Sequence, residues 1–311
     1  MNLPDEDPPR PGGATDGARA GAAPAGAAPA GAAPAGAAPA GAAPAGAAPA
    51  GGRYGEAVFR PELPGEDDRI DLGALAYDDF TLARLLALGA GPGWRCLDVG
   101  AGTGTVARLL LERAGVTEVL AVDRDTAFLR AHPTAGLTPL EADITALDFS
   151  PGRFDLVHAR FVLMHLRNWP RMIGKLASLV APGGVLVLGD AVDLTTPAAP
   201  TTVYGRVMRA MWQGLRESLG TDVSWVPDCP RHLREAGLLS VGAEILVPPL
   251  LPGSAISRFW AGTWDRAREP MKATGLVDDA AIDAAIRYLD SPECAALSPG
   301  LLTAWGVRGP A

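Results

Sequence analysis

Leu97-Asp98-Val99-Gly100-Ala101-Gly102-Thr103-Gly104 is a short apolar run, an acid, and three alternating glycines that lead directly into a helical pattern. Glycines after a buried strand let the backbone turn sharply and approach a ligand with no Cβ in the way. The next helix points its free N–H groups into the same space. A dinucleotide site requires Gly-x-Gly-x-x-Gly, and here Thr105 stands where the third glycine belongs. The spacing is instead Gly-x-Gly-x-Gly. Asp98, two residues ahead of the first glycine, would repel a pyrophosphate but attract a ligand bearing an ammonium group. An amino-acid-bearing nucleoside therefore suits the turn better than NAD.

The segments that follow keep the same grammar. Val119-Leu-Ala-Val-Asp123 reads as a second buried strand ending in an acid, one helix away from the glycine turn. Glu141-Ala-Asp143-Ile144, Phe154-Asp-Leu-Val-His-Ala-Arg160, and Leu179-Val-Ala-Pro-Gly-Gly184 followed by Val185-Leu-Val-Leu-Gly-Asp190 continue it. In this order the five segments resemble the motifs of the class I S-adenosylmethionine-dependent methyltransferases over roughly residues 70 to 310. Gly91–Cys96, Phe154–Leu166 and Ala304–Arg308 are most similar to the actinomycete small-molecule members.

That resemblance implies an α/β, Rossmann-like, doubly wound seven-stranded sheet in the order 3-2-1-4-5-7-6, its last strand antiparallel, with helical cap insertions. It implies S-adenosyl-L-methionine as cofactor. Asp98, Gly100, Ala101, Gly102 and Gly104 would hold the methionine end, Asp123 with Arg124 the ribose, Asp143 and Ile144 the adenine edge, and the Arg160 carbonyl the ammonium group. The implied reaction is in-line methyl transfer to an O, N or C nucleophile, without a metal or a covalent enzyme intermediate. Holding the reacting atoms in line is worth up to ~7 to 11 kcal/mol.

An alternating α/β order is also supported by apolar spacing. Leu75, Phe80, Leu82, Leu85, Leu86 and Leu88 predict a leading helix from about Asp71 to Gly89, on which Tyr77 or Asp79 could reach the cofactor. Val106–Ala114 and Trp169–Val180 predict two more helices, the second stopped by Pro182-Gly183-Gly184. Tyr204, Val207, Met208, Met211, Trp212, Leu215 and Leu219 form one stripe within a cap near residues 197–226. A second insertion near 253–297 carries Phe259, Trp260 and Trp264, then Ile282, Ala285, Ile286 and Leu289. Such Met-rich and aromatic stripes serve either core packing or a pocket for a bulky, flat acceptor. Strands are expected near Val241–Val247 and Leu301–Val307.

A hydroxyl or ammonium acceptor needs its proton removed, which directs attention to histidine. His165 lies just past the fourth strand, where relatives place a histidine beside the acceptor cleft, and is the candidate catalytic residue; half-buried hydrogen bonding to backbone is the plain alternative. His158, on the strand itself, is a weaker candidate.

The composition sets the remaining bounds. The formal charge is −8, of which the first 52 residues carry only −2, so the folded part is acidic and nucleic acid is a poor substrate. Cys96, Cys229 and Cys294 form no Cys-x-x-Cys pair, consistent with a reducing cytoplasm and no zinc site. No apolar run suggests a membrane span, and the acidic, proline-rich start is unlike a signal peptide. Ala20–Gly51 repeats Ala-Gly-Ala-Ala-Pro; proline every fifth residue and little apolar surface predict a disordered tail over residues 1–52, with the catalytic domain at 53–311. The partner implied is a small, hydrophobic metabolite. A noncatalytic S-adenosylmethionine-binding protein, a protein methyltransferase and an NAD-dependent oxidoreductase share parts of the pattern.

Overall fold

The computed structural model describes residues 52–310, so the predicted tail, Gly52 apart, lies outside the described residues. Seven strands form one sheet: β1 (Arg95–Val99), β2 (Glu118–Asp123), β3 (Leu137–Glu141), β4 (Phe154–Arg160), β5 (Val180–Val192), β6 (Leu238–Leu246) and β7 (Gly300–Arg308). Their order is β3-β2-β1-β4-β5-β7-β6, as the motifs implied. β1 to β5 run parallel, and β7 is antiparallel to both β5 and β6. Leu97 is paired with Leu120 on one side and Val157 on the other, and is fully buried. Strands covered on both faces read as continuous apolar runs, which is why β1, β2 and β5 were visible in the sequence.

Helices cover both faces. In chain order they are α1 (Glu66–Ala87), α2 (Thr105–Arg113), α3 (Ala127–Ala131), α4 (Trp169–Leu179), α5 (Val203–Leu219), α6 (Cys229–Glu235), α7 (Ala255–Arg266), α8 (Arg268–Ala273) and α9 (Asp279–Leu289). One core joins β1, β4 and β5 to α4 and α6 through Leu97, Val157, Leu176, Leu186 and Leu233; another packs α2 and the end of α1 on the opposite face through Leu85, Leu110, Val119 and Val187. A third cluster, built on Tyr204, Met208, Met211, Trp260, Trp264, Met271 and Ile282, holds α5, α7, α8 and α9 together at one end of the sheet. Thr202 and Ser254 start α5 and α7 by accepting the N–H of Gly205 and Ser257, and Gly220 ends α5 in the left-handed region at φ 75°.

Two local expectations are corrected. α1 starts at Glu66, five residues earlier than the apolar spacing indicated, and two of the leucines used to place it face water: Leu75 is 72% exposed and Leu86 43%. Its inner face is formed by Gly73, Ala74, Tyr77, Leu82 and Leu85. Gly73 lets α1 approach α7 closely, since a Cβ there would lie 3.0 Å from the Phe259 ring and press on it. α4 ends at Leu179, before the Pro-Gly-Gly signal, because Val180 is already extended and pairs with Phe154. Residues 181–184 then bulge, with Gly183 at φ 79°, before Val185 resumes the ladder with Leu156. Helix α8 and a two-residue ladder between Pro249–Leu250 and Ala296–Leu297 were not anticipated. Among the described residues no helix is long and apolar enough to cross a membrane.

Candidate functional site

The strand order reverses between β1 and β4, and in open α/β sheets a ligand crevice forms at the carboxyl ends of the strands on either side of that switch. A cavity of about 900 Å³ lies there. Its floor is the glycine turn. Gly100, Gly102 and Gly104 have φ of 65°, 56° and 83°, left-handed values that L side chains resist. The Gly100 and Ala101 amides donate to the Val122 carbonyl, at 2.7 and 3.1 Å, tying the turn to β2. A Cβ at Gly102 would meet Ile70 Cγ2 at an ordinary contact distance of 3.8 Å, whereas one at Gly100 would collide with Val162 Cγ2.

Of the residues singled out for the cofactor, Asp98, Gly100, Ala101, Gly102, Asp123, Arg124, Asp143, Ile144 and Arg160 all line this cavity. Gly104 does not. It caps α2, and a Cβ on it would approach Leu129 Cδ2 to 2.6 Å, so its freedom serves the turn and the packing of α3. Asp79, offered as a second contact from α1, is on the surface paired with Arg113 at 2.7 Å. Tyr77 does line the cavity, its hydroxyl donating to the Pro299 carbonyl at 3.1 Å.

The acids on the floor are each held in place. Asp98 and His158 are register partners on β1 and β4, and His158 Nδ1 lies 2.7 Å from Asp98 Oδ1, with both side chains buried. Asp123 accepts the Gly102 N–H at 2.8 Å. Burial pushes its carboxyl up, against hydrogen bonds from the Gly102, Asp125 and Arg124 amides. Asp143 accepts from the Thr145 amide and hydroxyl at 2.8 and 2.6 Å and pairs with Arg53 at 2.8 Å. Burial opposes its ionisation, but Thr145 and Arg53 outweigh that and hold the carboxyl below its ordinary value. The Arg160 guanidinium points away from the floor to Thr81 and Asp78, fastening α1 to β4 at 2.9 and 2.6 Å.

His165 follows β4 in the turn Leu163–His165. Its Nδ1 lies 2.9 Å from the Thr221 hydroxyl. Burial, and then the positive Arg69, lower its pKa to about 3, so the ring is neutral at physiological pH. Asp190 is buried close to the backbone of the loop bearing His165, and its Oδ1 has no partner among the described residues. Burial raises this carboxyl to about 8. Phe161, at the start of the loop, has φ 57°, an unfavourable value for an aromatic residue, and sets its ring edge-on to Tyr77 at 5.4 Å.

The roof was not foreseen. Residues 53–59 cross the cavity mouth: Arg53 reaches Asp143, the Tyr54 carbonyl accepts from Arg124 at 2.9 Å, and Phe59 is buried. Tyr54 also stacks on His165 with centroids 4.2 Å apart. Its hydroxyl accepts from Arg69 at 3.0 Å. Arg69 in turn pairs with buried Glu66, donates to Thr263 at 3.1 Å, and sits between the rings of Phe59 and Phe259 at 4.6 and 5.3 Å. The available signal was the abrupt change at Arg53-Tyr54 from repeat to aromatic and charged residues. Beyond Arg69 the wall is Met211, Trp212, Leu215 and Leu219 of α5 with Phe259 and Trp260 of α7.

A family profile described as "Methyltransferase domain" matches residues 73–222. The demethylmenaquinone methyltransferase of Thermus thermophilus is 33% identical over 175 residues, 50% of this chain and 77% of that protein. An uncharacterised methyltransferase of Mycobacterium tuberculosis is 31% identical over 194 residues, 55% of this chain and 87% of its own length. Among solved structures, Haemonchus contortus phosphoethanolamine N-methyltransferase 2, in complex with phosphomonomethylethanolamine and S-adenosylhomocysteine, shares the fold. Its TM-score is 0.51 at 18% identity, over 81% of this chain and 59% of that one. Sheet order, glycine turn and relatives agree, and the chain belongs to the class I S-adenosylmethionine-dependent methyltransferases.

Proposed function

We propose that this enzyme methylates an O, N or C nucleophile on a small, flat, largely hydrophobic metabolite. The observation that carries this reading is the continuity of one cavity of about 900 Å³ from the glycine turn to the aromatic wall of α5 and α7. That volume is near the top of the range of small-molecule sites, ~300 to 1,000 Å³, and suits two ligands side by side better than one. The helices at 203–219 and 255–289 are read as caps over the acceptor end.

The floor fits S-adenosylmethionine, since its turn carries left-handed glycines at 100 and 102 that line the cavity and three acids face it. Asp98, one oxygen engaged by His158, would receive the ammonium group together with the Arg160 carbonyl; Gly100, Ala101 and Gly102 would lie along the methionine, Asp123 and Arg124 at the ribose, and Asp143 and Ile144 at the adenine. When bound, the cofactor supplies a methyl group on a positively charged sulfur. His165, neutral and fixed by Thr221 and Tyr54, acts as a positioning residue, because a group with a pKa near 3 is a weak base. The Thermus relative is named for the acceptor demethylmenaquinone, whose bicyclic quinone head is flat and apolar, as this wall would favour.

Calorimetric titration with S-adenosylmethionine and with NAD tests the cofactor half, and incubation with a labelled methyl donor and fractionated metabolite extracts tests the acceptor half. Saturable binding of the sulfonium alone, with label recovered in a small molecule, is the expected result. NAD binding alone, or label recovered only in protein, would overturn the proposal.

A further inference from the structure

We propose that Arg69 and the Tyr54 hydroxyl form an anion-reading end of the acceptor compartment, so that the acceptor is a flat molecule bound with a deprotonated carboxyl or phenol oxygen on this pair. The inference rests on the reading of the α5 and α7 wall as the acceptor compartment. The Glu66 carboxylate is shared by two guanidiniums, buried Arg69, whose Nε is 2.9 Å away, and the partly exposed Arg266 at 2.8 Å. Arg266 is not part of the cavity lining, whereas Arg69 and Glu66 both line the cavity and Arg69 has only 5% of its surface exposed. Arg69 spends Nε and one Nη2 hydrogen on Glu66, the other Nη2 hydrogen on Tyr54 and one Nη1 hydrogen on Thr263, so that one Nη1 N–H has no acceptor among the described residues, in a group of three charges that is positive overall. A buried charged donor left without an acceptor is costly, and a ligand oxygen, favoured when anionic, is the partner that would relieve it.

The surroundings match such a ligand. The Arg69 guanidinium lies over the Phe59 ring at 4.6 Å and over the Phe259 ring at 5.3 Å, aromatic faces on which a flat ligand could also pack. Arg69 donates to the oxygen of Tyr54, and among the described residues the Tyr54 proton has no acceptor, so that O–H remains available beside the cation. The field of Arg69 reaches the neighbouring groups: it is among the causes that lower His165 and that oppose the rise of Tyr54. Glu62, the other acid at this end, is exposed at the rim, where water screens it. An acceptor that arrives as an anion also removes the need for a strong base, which this compartment lacks.

The test compares matched probes in the presence of saturating S-adenosylhomocysteine: 2-naphthoate against neutral 2-naphthamide, and 4-nitro-1-naphtholate against its methyl ether. At least one anion is expected to bind about tenfold or more tightly than its neutral partner, as for a hydrogen bond to a charged group. The pair that shows the preference identifies the oxygen as carboxylate or phenolate. Arg69→Met should abolish the preference while the neutral probe binds as before, and Tyr54→Phe, which keeps the ring on His165, should reduce it several-fold. Should Arg69→Met fail to fold, Arg69→Lys retains charge without the fork and is expected to lose most of the preference. Equal affinities within both pairs, no binding of any probe at millimolar concentration, or a preference that survives loss of Arg69 would overturn the proposal. Homocysteine-nucleoside binding by the wild type, measured in the same experiment, keeps a failure here distinct from a failure of the methyltransferase site.

Discussion

Tyr54 and His165 are 111 positions apart in the chain, yet their rings lie stacked with centroids 4.2 Å apart and planes inclined by 30°. The contact covers the imidazole face that would otherwise meet the cavity, and Arg69 beyond it adds a positive field. His165 should remain neutral in the native protein from pH 5 to 9, with no imidazole ionisation in the pH profile of methyl transfer. Its unfolded value is about 6.5, so the native state takes up fewer protons between pH 6.5 and about 3, and this residue's contribution to stability is present above pH 6.5 and lost as the pH falls. Tyr54→Ala should raise the His165 pKa toward its ordinary value, read directly from the imidazole resonances.

Asp190 works in the opposite sense. Its native value of about 8 is above the ordinary carboxylate value, so its stabilising contribution is full at acid pH and is lost as the pH rises through 8. Asp190→Asn preserves the shape while removing the titration. Between pH 6 and 9 the wild type should lose about 2 to 3 kcal/mol relative to this variant, measured by urea unfolding at the two pH values. Parallel pH dependences would rule out a buried ionising carboxyl.

Asp123→Ala should weaken S-adenosylmethionine binding by about 2 to 3 kcal/mol, since it removes a charged acceptor and frees the Gly102 amide. Calorimetry gives the value directly. Unchanged affinity would remove Asp123 from the ribose site.

Arg53→Ala probes the roof. The Arg53–Asp143 pair is partly solvated, with side-chain exposures of 61% and 33%, and such pairs are worth ~0 to 1 kcal/mol. If the adenine edge uses Asp143, it must share that carboxylate with Arg53. The variant should bind cofactor as well as, or up to about fivefold tighter than, the wild type, with faster association in stopped flow. A loss of affinity would make Arg53 a ligand-holding residue.

Trp264 is completely buried between α5 and α9, 5.9 Å from Tyr204, and its indole N–H has no partner among the described residues. Trp264→Ala should cost about 3 to 5 kcal/mol. Trp264→Phe loses volume but also removes an unsatisfied donor, and should cost no more than about 2 kcal/mol. Equilibrium denaturation of the pair separates cavity from hydrogen-bond effects.

The floor of the cavity was legible because each of its parts is local: an apolar run buried on both faces, then an acid or glycine at the strand's carboxyl end. Asp98, Gly100, Asp123 and Asp143 could be placed without knowing how the chain folds back on itself. The roof and the acceptor end could not. Tyr54, Glu66 and Arg69 sit in a stretch with no apolar period, and they acquire meaning from Thr263, Phe259 and Arg266, some two hundred residues later. α1 was misplaced for a related reason. Its buried face is partly glycine and alanine, chosen for close approach to Phe259, while two of its leucines face water. Asp190 was quoted only as the end of a strand, since nothing in its neighbourhood reveals that it is buried beside the loop that carries His165.

Placing β7 between β5 and β6 also constrains how the molecule is made. β6 ends at Leu246, and its only partner among the described residues begins at Gly300. During synthesis, therefore, β6 exists for more than fifty residues as a strand with nothing to pair with, carrying Leu239 and Ile245 that remain exposed even in the finished sheet. The half of the sheet from β3 to β5 can assemble as it emerges, whereas the other edge closes late and depends on a long-range contact. A ribosome that stalls before Gly300 would release a nascent chain whose glycine turn and flanking acids are complete and whose loose edge is prone to aggregation.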